Sequence, residues 1–173
     1  MTGDRARVSV AVAVEPASAF AIFTGEIDRW WRRGARFRNA GARRSFIRLE
    51  PEVGGRLFES IESGTMAHVV EVGRVLVWDP PRRVTFSWRA SNFAPHENTE
   101  VDVQFVAQRT GTLVTVTHRG FAALRDDHPV RHGLAGSAFC AQMGRWWGDQ
   151  MTSLRERVAA VAEGAGRAGA PPA

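Results

Sequence analysis

RRVTFSWR (82–89), TEVDVQFVAQ (99–108) and GTLVTVTHRG (111–120) place apolar residues at alternate positions. Period two marks a half-buried strand, and a link as short as Arg109-Thr110 forces the second and third stretches into an antiparallel hairpin. Val84, Phe86 and Trp88 share one face, as do Val101, Val103 and Phe105, and Thr112, Val114, Val116 and His118. The opposite face, with Thr85, Ser87, Glu100, Asp102, Gln104, Thr115 and Thr117, is expected to meet water. His118 is the polar exception on the apolar face. Strands 82–89 and 111–118 run the same way, so Trp88, Thr99 and His118 reach one end of the sheet. Asp126, Asp127, His128 and His132 follow after a short loop, which predicts a pocket mouth there with a polar rim above apolar walls.

The same reading extends in both directions. ARVSVAVAV (6–14) is a strand, and PASAFAIFTG (16–25) is a short helix with proline at its first turn and glycine at its end. EIDRWWRRG (26–34) forms a second helical turn, and 32–43 reads as loop. Strands follow at 44–50, 54–61 and 65–79, the last stopped by Pro80-Pro81. From about Asp127 to Ala162 the period changes: Phe139, Met143, Trp147, Met151, Leu154 and Val158 make one helical stripe. The expected fold is α+β: a curved antiparallel sheet of six to seven strands, wrapped around a long C-terminal helix, with two short helices after the first strand. Residues 1–163 read as one domain and 164–173 as a disordered tail.

Composition narrows function. The apolar runs are too short to span a bilayer, and MTGDRARVSV lacks a signal-peptide core, so the expected location is cytoplasmic, with no membrane insertion. A single cysteine, Cys140, excludes an intrachain disulfide and a thiolate cluster. All 23 basic residues are arginine, and eight of them lie between Arg29 and Arg48 with no acidic residue among them. Such a segment is expected to be a solvated loop or an anion-attracting surface. No Gly-x-Ser-x-Gly elbow or glycine-rich phosphate loop is present. His128 and His132, four apart around Pro129, lack a third ligand, so no metal or cofactor is expected.

GRVLVWDPPRRVTFSW (73–88), the hairpin 99–121, DRWW (28–31) and WGDQMTSL (147–154) together resemble the SRPBCC (START-like) superfamily. The branch they resemble is homologous to the C-terminal domains of heat-shock protein 90 ATPase activators. The resemblance implies the helix-grip fold and a cavity between sheet and helix, and it spans about 8–160. Members bind lipids, sterols, polyketides or hormones, some cyclise polyketides, and others act as co-chaperones. Trp146 stands where the family usually has glycine, and the Arg-rich 32–44 loop is atypical.

The resulting expectation is a non-catalytic binding protein for a small hydrophobic or amphipathic molecule, monomeric or homodimeric. Its cavity is expected to be lined by Phe58, Phe86, Trp88, Val103, Phe105, Val116, His118, Phe139, Met143, Trp147 and Met151. The alternatives are a polyketide cyclase-like enzyme and a regulator of a chaperone ATPase acting through Arg32, Arg33 and Arg36. For the enzyme, His118 is the candidate proton shuttle, with Asp127 or His132. The two Arg-Trp-Trp triplets, 29–31 and 145–147, are not read as a nucleic-acid platform, because Trp147 belongs to the helix stripe. The directions of Trp30, Trp31 and Trp146 stay open.

Overall fold

A computed structural model describes residues 4–89 and 92–168. In chain order the elements are β1 (Arg5–Val12), α1 (Pro16–Gly25), α2 (Ile27–Trp30), β2 (Ser45–Leu49), β3 (Arg56–Ser63) and β4 (Met66–Asp79). They continue with β5 (Arg83–Trp88), β6 (Thr99–Gln108), β7 (Gly111–Arg119), 3-10 turns at Phe121–Ala123 and Pro129–Arg131, and α3 (Gly136–Ala168). The strands form one antiparallel sheet in the order β1-β7-β6-β5-β4-β3-β2. Consecutive strands from β2 to β7 are neighbours, as short loops require, and β1 joins at the β7 edge.

The sheet curls because β4 is bulged in both of its ladders, at Val72 opposite Leu57 and Phe58 of β3 and at Leu76 opposite Thr85 and Phe86 of β5. Gly73 lies between these irregularities, where a Cβ would come 1.7 Å from the Ser87 carbonyl oxygen, so only glycine permits this approach of β4 to β5. At the β6–β7 turn, Gly111 has φ +102° and would press a Cβ to 2.1 Å from the Val12 oxygen. Glycine there closes the hairpin against the end of β1.

The main core fills the space between the concave sheet and the helices. Val84, Phe86, Val101, Val103, Val114, Val116, Trp147, Met151, Leu154 and Val158 are all buried there with Phe20 and Phe23 of α1. A smaller cluster of Ala6, Phe93, Phe121, Leu124, Phe139 and Cys140 closes the end where α3 begins.

Three expectations need correction. The last helix begins at Gly136 rather than near Asp127, because Pro129 opens a 3-10 turn and His132, Gly133 and Gly136 adopt positive φ. It runs to Ala168, so 164–168 is helix rather than tail, while 169–173 lie outside the described residues. The outer face of the sheet is also not simply wet. Thr85, Asp102 and Thr115 are buried: Asp102 accepts from Thr85 Oγ1, Arg83 and Gln104, and Thr115 pairs with Ser9 at 2.8 Å. Saturating these polar groups with one another removes the cost of taking them from water.

Candidate functional site: an aromatic cavity capped by an arginine loop

A cavity of about 510 Å³ opens between the β2–β5 half of the sheet and the first turns of α3. The α2–β2 loop forms one side with Trp31, Phe37 and Asn39, and β2, β3 and β4 supply Ile47, Leu57, Glu59 and Val72. Trp88 and Arg89 come from the end of β5, Val130 and His132 from the second 3-10 turn, and Gln142, Met143 and Trp146 from α3.

Three indoles make the wall. Trp31 stacks on Trp88 with centroids 5.5 Å apart and planes at 18°, and Trp146 meets both edge-on at 5.7 and 5.8 Å. Such offset and edge contacts satisfy the ring quadrupoles, and a buried indole N–H needs an acceptor. Trp31 Nε1 donates to the Phe37 carbonyl at 3.0 Å and Trp146 Nε1 to the Arg36 carbonyl at 2.8 Å. The loop and α3 are therefore tied together through the tryptophans. Trp30 is buried elsewhere, donating to the Phe23 carbonyl at 3.0 Å.

The arginine-rich loop is an ordered wall, not a solvated tether. Arg38, its side chain 1% exposed, binds Asp28 Oδ1 at 2.6 Å and the carbonyls of Asp28, Trp31, Arg32 and Ser45. Asp28 also accepts from Ile47 N and Arg33, and Arg36 pairs with Asp149 at 3.0 Å. Glu59 is fully buried and accepts from the Asn39 and Ala40 backbone N–H groups and from Asn39 Nδ2. The missing countercharges of 29–48 thus come from flanking and distant segments.

Of the eleven expected lining residues, Trp88 and Met143 line this cavity. Phe86, Val103, Phe105, Val116, Trp147 and Met151 are packed solid in the main core, and Phe139 in the smaller one. Phe58 lies on the opposite face of β3 from Leu57 and Glu59, its ring under the Arg56 guanidinium at 4.7 Å. The register of β3 was ambiguous because Glu59 interrupts the apolar series Leu57, Ile61. The lining residues not anticipated include Trp31, Phe37, Ile47, Leu57, Val72 and Trp146. For Ile47, Leu57 and Val72 the signal was strand alternation; for Trp146 no local signal existed.

His118 is 1% exposed and does not line the cavity. Trp147 Nε1, which can only donate, lies 3.1 Å from Nδ1, so Nδ1 is the acceptor and the proton sits on Nε2. Nε2 then donates to Thr99 Oγ1 at 2.7 Å, and the Thr99 hydroxyl donates to the Trp88 carbonyl at 3.1 Å. Phe121 and Trp88 flank the ring. Burial pushes the imidazole pKa down to about 3. Both nitrogens are used in a neutral strut that holds Trp88 and Trp147, which overturns His118 as a ligand contact and as a proton shuttle. Its proposed helpers are elsewhere: Asp127 is exposed beside Arg125, and His132 is exposed at the cavity mouth.

His128 and His132 do not converge: His128 is buried and His132 is exposed. His128 Nδ1 accepts from Val130 N and its Nε2 lies 3.2 Å from Glu97, which itself binds Arg125 and Ala94 N. Among the described residues no group of three or more His, Cys, Asp or Glu is arranged to hold a metal. None of the described helices is long and apolar enough to cross a membrane.

A curled seven-stranded antiparallel sheet gripping a long C-terminal helix, with a cavity beside that helix, defines a helix-grip protein of the START-like class. A family model described as Activator of Hsp90 ATPase homolog 1-like protein matches residues 13–157, and the chain belongs to that family. No curated protein matches. Among solved structures, the AHSA1-like protein from Aeromonas hydrophila is similar at 18% identity and TM-score 0.60, covering 91% of this chain and 94% of that one. An HSP90 activator from Plasmodium falciparum has 17% identity and TM-score 0.60, with 91% and 97% covered. The Aha1 dimer from Colwellia psychrerythraea has 15% identity and TM-score 0.58, with 89% and 95% covered. At such identities the likeness establishes the fold alone.

Proposed function

We propose that this protein binds a small hydrophobic or amphipathic molecule in the tryptophan-walled cavity and does not transform it. The observation that carries this reading is the cavity itself: about 510 Å³, walled by Trp31, Trp88, Trp146, Leu57 and Val72, with polar groups at its rim. That volume and lining are those of small-molecule sites. Burying about 300 Å² of apolar ligand surface at about 25 cal/mol per Å² contributes roughly 7.5 kcal/mol before the cost of immobilisation, so burial alone sets micromolar affinity as an upper limit. Met143→Trp, which fills the space from α3, is expected to weaken binding of a neutral fluorescent amphipath at least tenfold while leaving the unfolding midpoint within a few degrees. Titration of both proteins with the probe checks this; equal binding, or no binding by wild type, overturns it.

Family membership and the likeness to the Plasmodium falciparum HSP90 activator favour a second reading, a co-chaperone-like regulator of a chaperone ATPase. Arg32 and Arg36 both flank the Phe37 ring, at 5.5 and 5.3 Å, and present their guanidinium groups at the surface. Stimulation of a chaperone ATPase by wild type, lost in R32A/R36A, is the expected result of this reading; no stimulation by wild type overturns it. The Colwellia dimer supports a homodimer as one assembly for either role, with a monomer as the other.

A further inference from the structure

Charge at the cavity is unevenly used, and this identifies the class of ligand. Four ionic side chains there are accounted for within the protein or turned aside. Arg38 spends its guanidinium on Asp28 and four carbonyls, and Glu59 its carboxylate on Asn39 and Ala40. Arg36 is paired with Asp149, and His132 is exposed at the mouth with no side-chain partner among the described residues. Arg89 is different. It is half-buried and lines the cavity beside Trp88. Its Nη2 donates to the Phe93 and Ala94 carbonyls at 3.2 Å, which holds the guanidinium in place, while Nε and Nη1 have no acceptor among the described residues. No carboxylate pairs with it among the described residues. The one carboxylate in the lining, Glu59, has its oxygens taken up by Asn39 and Ala40, so it does not compete with a ligand for this guanidinium.

Resting on the small-molecule reading above, we infer that the ligand is an amphipathic organic anion whose apolar body lies among Trp31, Trp88 and Trp146 and whose acidic head docks on Arg89. Nη2, taken by the two loop carbonyls, lies between Nε and Nη1, so an oxygen of a carboxylate or sulfonate accepts a single charge-assisted hydrogen bond from one of these free donors. Preorganisation by the two loop carbonyls lowers the entropy lost when that pair forms. His132 supplies a further donor at the mouth.

The test uses two probes that share one aromatic body and differ in the acid group: anilinonaphthalene sulfonate and phenylnaphthylamine. Each is titrated into the full chain by fluorescence, with Arg89→Gln, Arg89→Lys and, as a control for net charge, Arg109→Gln on the exposed β6–β7 turn. Wild type and R109Q are expected to bind the sulfonate about tenfold or more tightly than the neutral amine. R89Q is expected to lose that preference while holding the neutral probe within twofold, and R89K to restore part of it. Equal binding of the two probes by wild type, a preference that survives R89Q, or one lost equally in R109Q overturns the head-group assignment and leaves the cavity reading standing. If R89Q loses both probes, R89K decides: recovery of the neutral probe without the preference overturns the assignment, and recovery of both supports it. Failure of wild type to bind either probe overturns the cavity reading instead.

Discussion

Asp28→Ala is expected to destabilise the fold by about 3 kcal/mol, far more than an average exposed ion pair, because it strands the Arg38 cation. Arg38 is buried with a side chain 1% exposed, and its only carboxylate partner among the described residues is Asp28, at 2.6 Å. Without that carboxylate the charge keeps only carbonyl dipoles, and Ile47 N loses its acceptor at 2.9 Å. Asp28 is itself 25% exposed, so water relieves part of the loss and the effect belongs at the lower end of the range for buried pairs. Urea unfolding measures it, as a lower midpoint at unchanged slope. Arg38→Met in the Asp28→Ala background is expected to cost much less than Arg38→Met alone, because the two act as one unit. An Asp28→Ala midpoint indistinguishable from wild type would sink this account of the loop. The variant should also weaken ligand binding, since the same knot positions Trp31 and Phe37 at the cavity.

Acid is expected to unfold the protein earlier than its carboxylates alone would cause. His118 is neutral when folded, with its pKa pushed down to about 3 by burial, whereas the unfolded histidine titrates near 6.5. Its contribution is complete above 6.5 and is lost as pH falls toward 3, because in that window the unfolded chain binds one more proton. The slope is about 1.4 kcal/mol per pH unit, and the whole interval amounts to about 5 kcal/mol. Glu97 acts lower: the Ala94 N–H, Arg125 and His128 hold its pKa at about 2, so its contribution is present above 4.5 and lost below. The interval from 6.5 to 4.5 therefore isolates the histidines. His128, lowered by burial against the opposing pull of Glu97, contributes there in the same direction. His118→Gln is expected to reduce the slope of stability against pH by up to about one proton across the whole interval between 6.5 and about 3, the part above 4.5 being free of the Glu97 contribution. Unfolding midpoints from pH 7 to pH 4 for both proteins decide it; parallel curves would show that His118 is not the titrating group.

Much of the fold was legible because its signals are local. Alternation at 82–89, 99–108 and 111–119 set the strands, and the Arg109-Thr110 turn set their pairing. The spacing from Phe139 to Val158 set the helix, and it put Trp88, Thr99 and His118 at one end correctly. The start of α3 was misread because an apolar stripe does not report where Pro129 and Gly136 interrupt the backbone.

The cavity was decided by tertiary structure, and each error has its reason. Size favoured Phe58 as a wall residue, but the β3 register turns Leu57 and Glu59 inward, with a buried carboxylate made tolerable by Asn39 and Ala40. His118 had the address of a site residue and the environment of a strut, since Trp147, 29 positions later, is what fills its Nδ1. Eight arginines without an acid between them read as a free charge, yet Asp28, Asp149 and Glu62 pair with Arg33, Arg36, Arg38 and Arg44 from outside the segment. Trp146 was undecidable from its neighbours because its acceptor, the Arg36 carbonyl, is 110 positions away. Periodicity specifies which face of an element is apolar, since that depends on backbone geometry within a few residues. Whether a residue on that face meets another side chain or an open space depends on how far apart the curved sheet and α3 are held, and that separation is set by the two bulges in β4 and by the arginine-pinned loop.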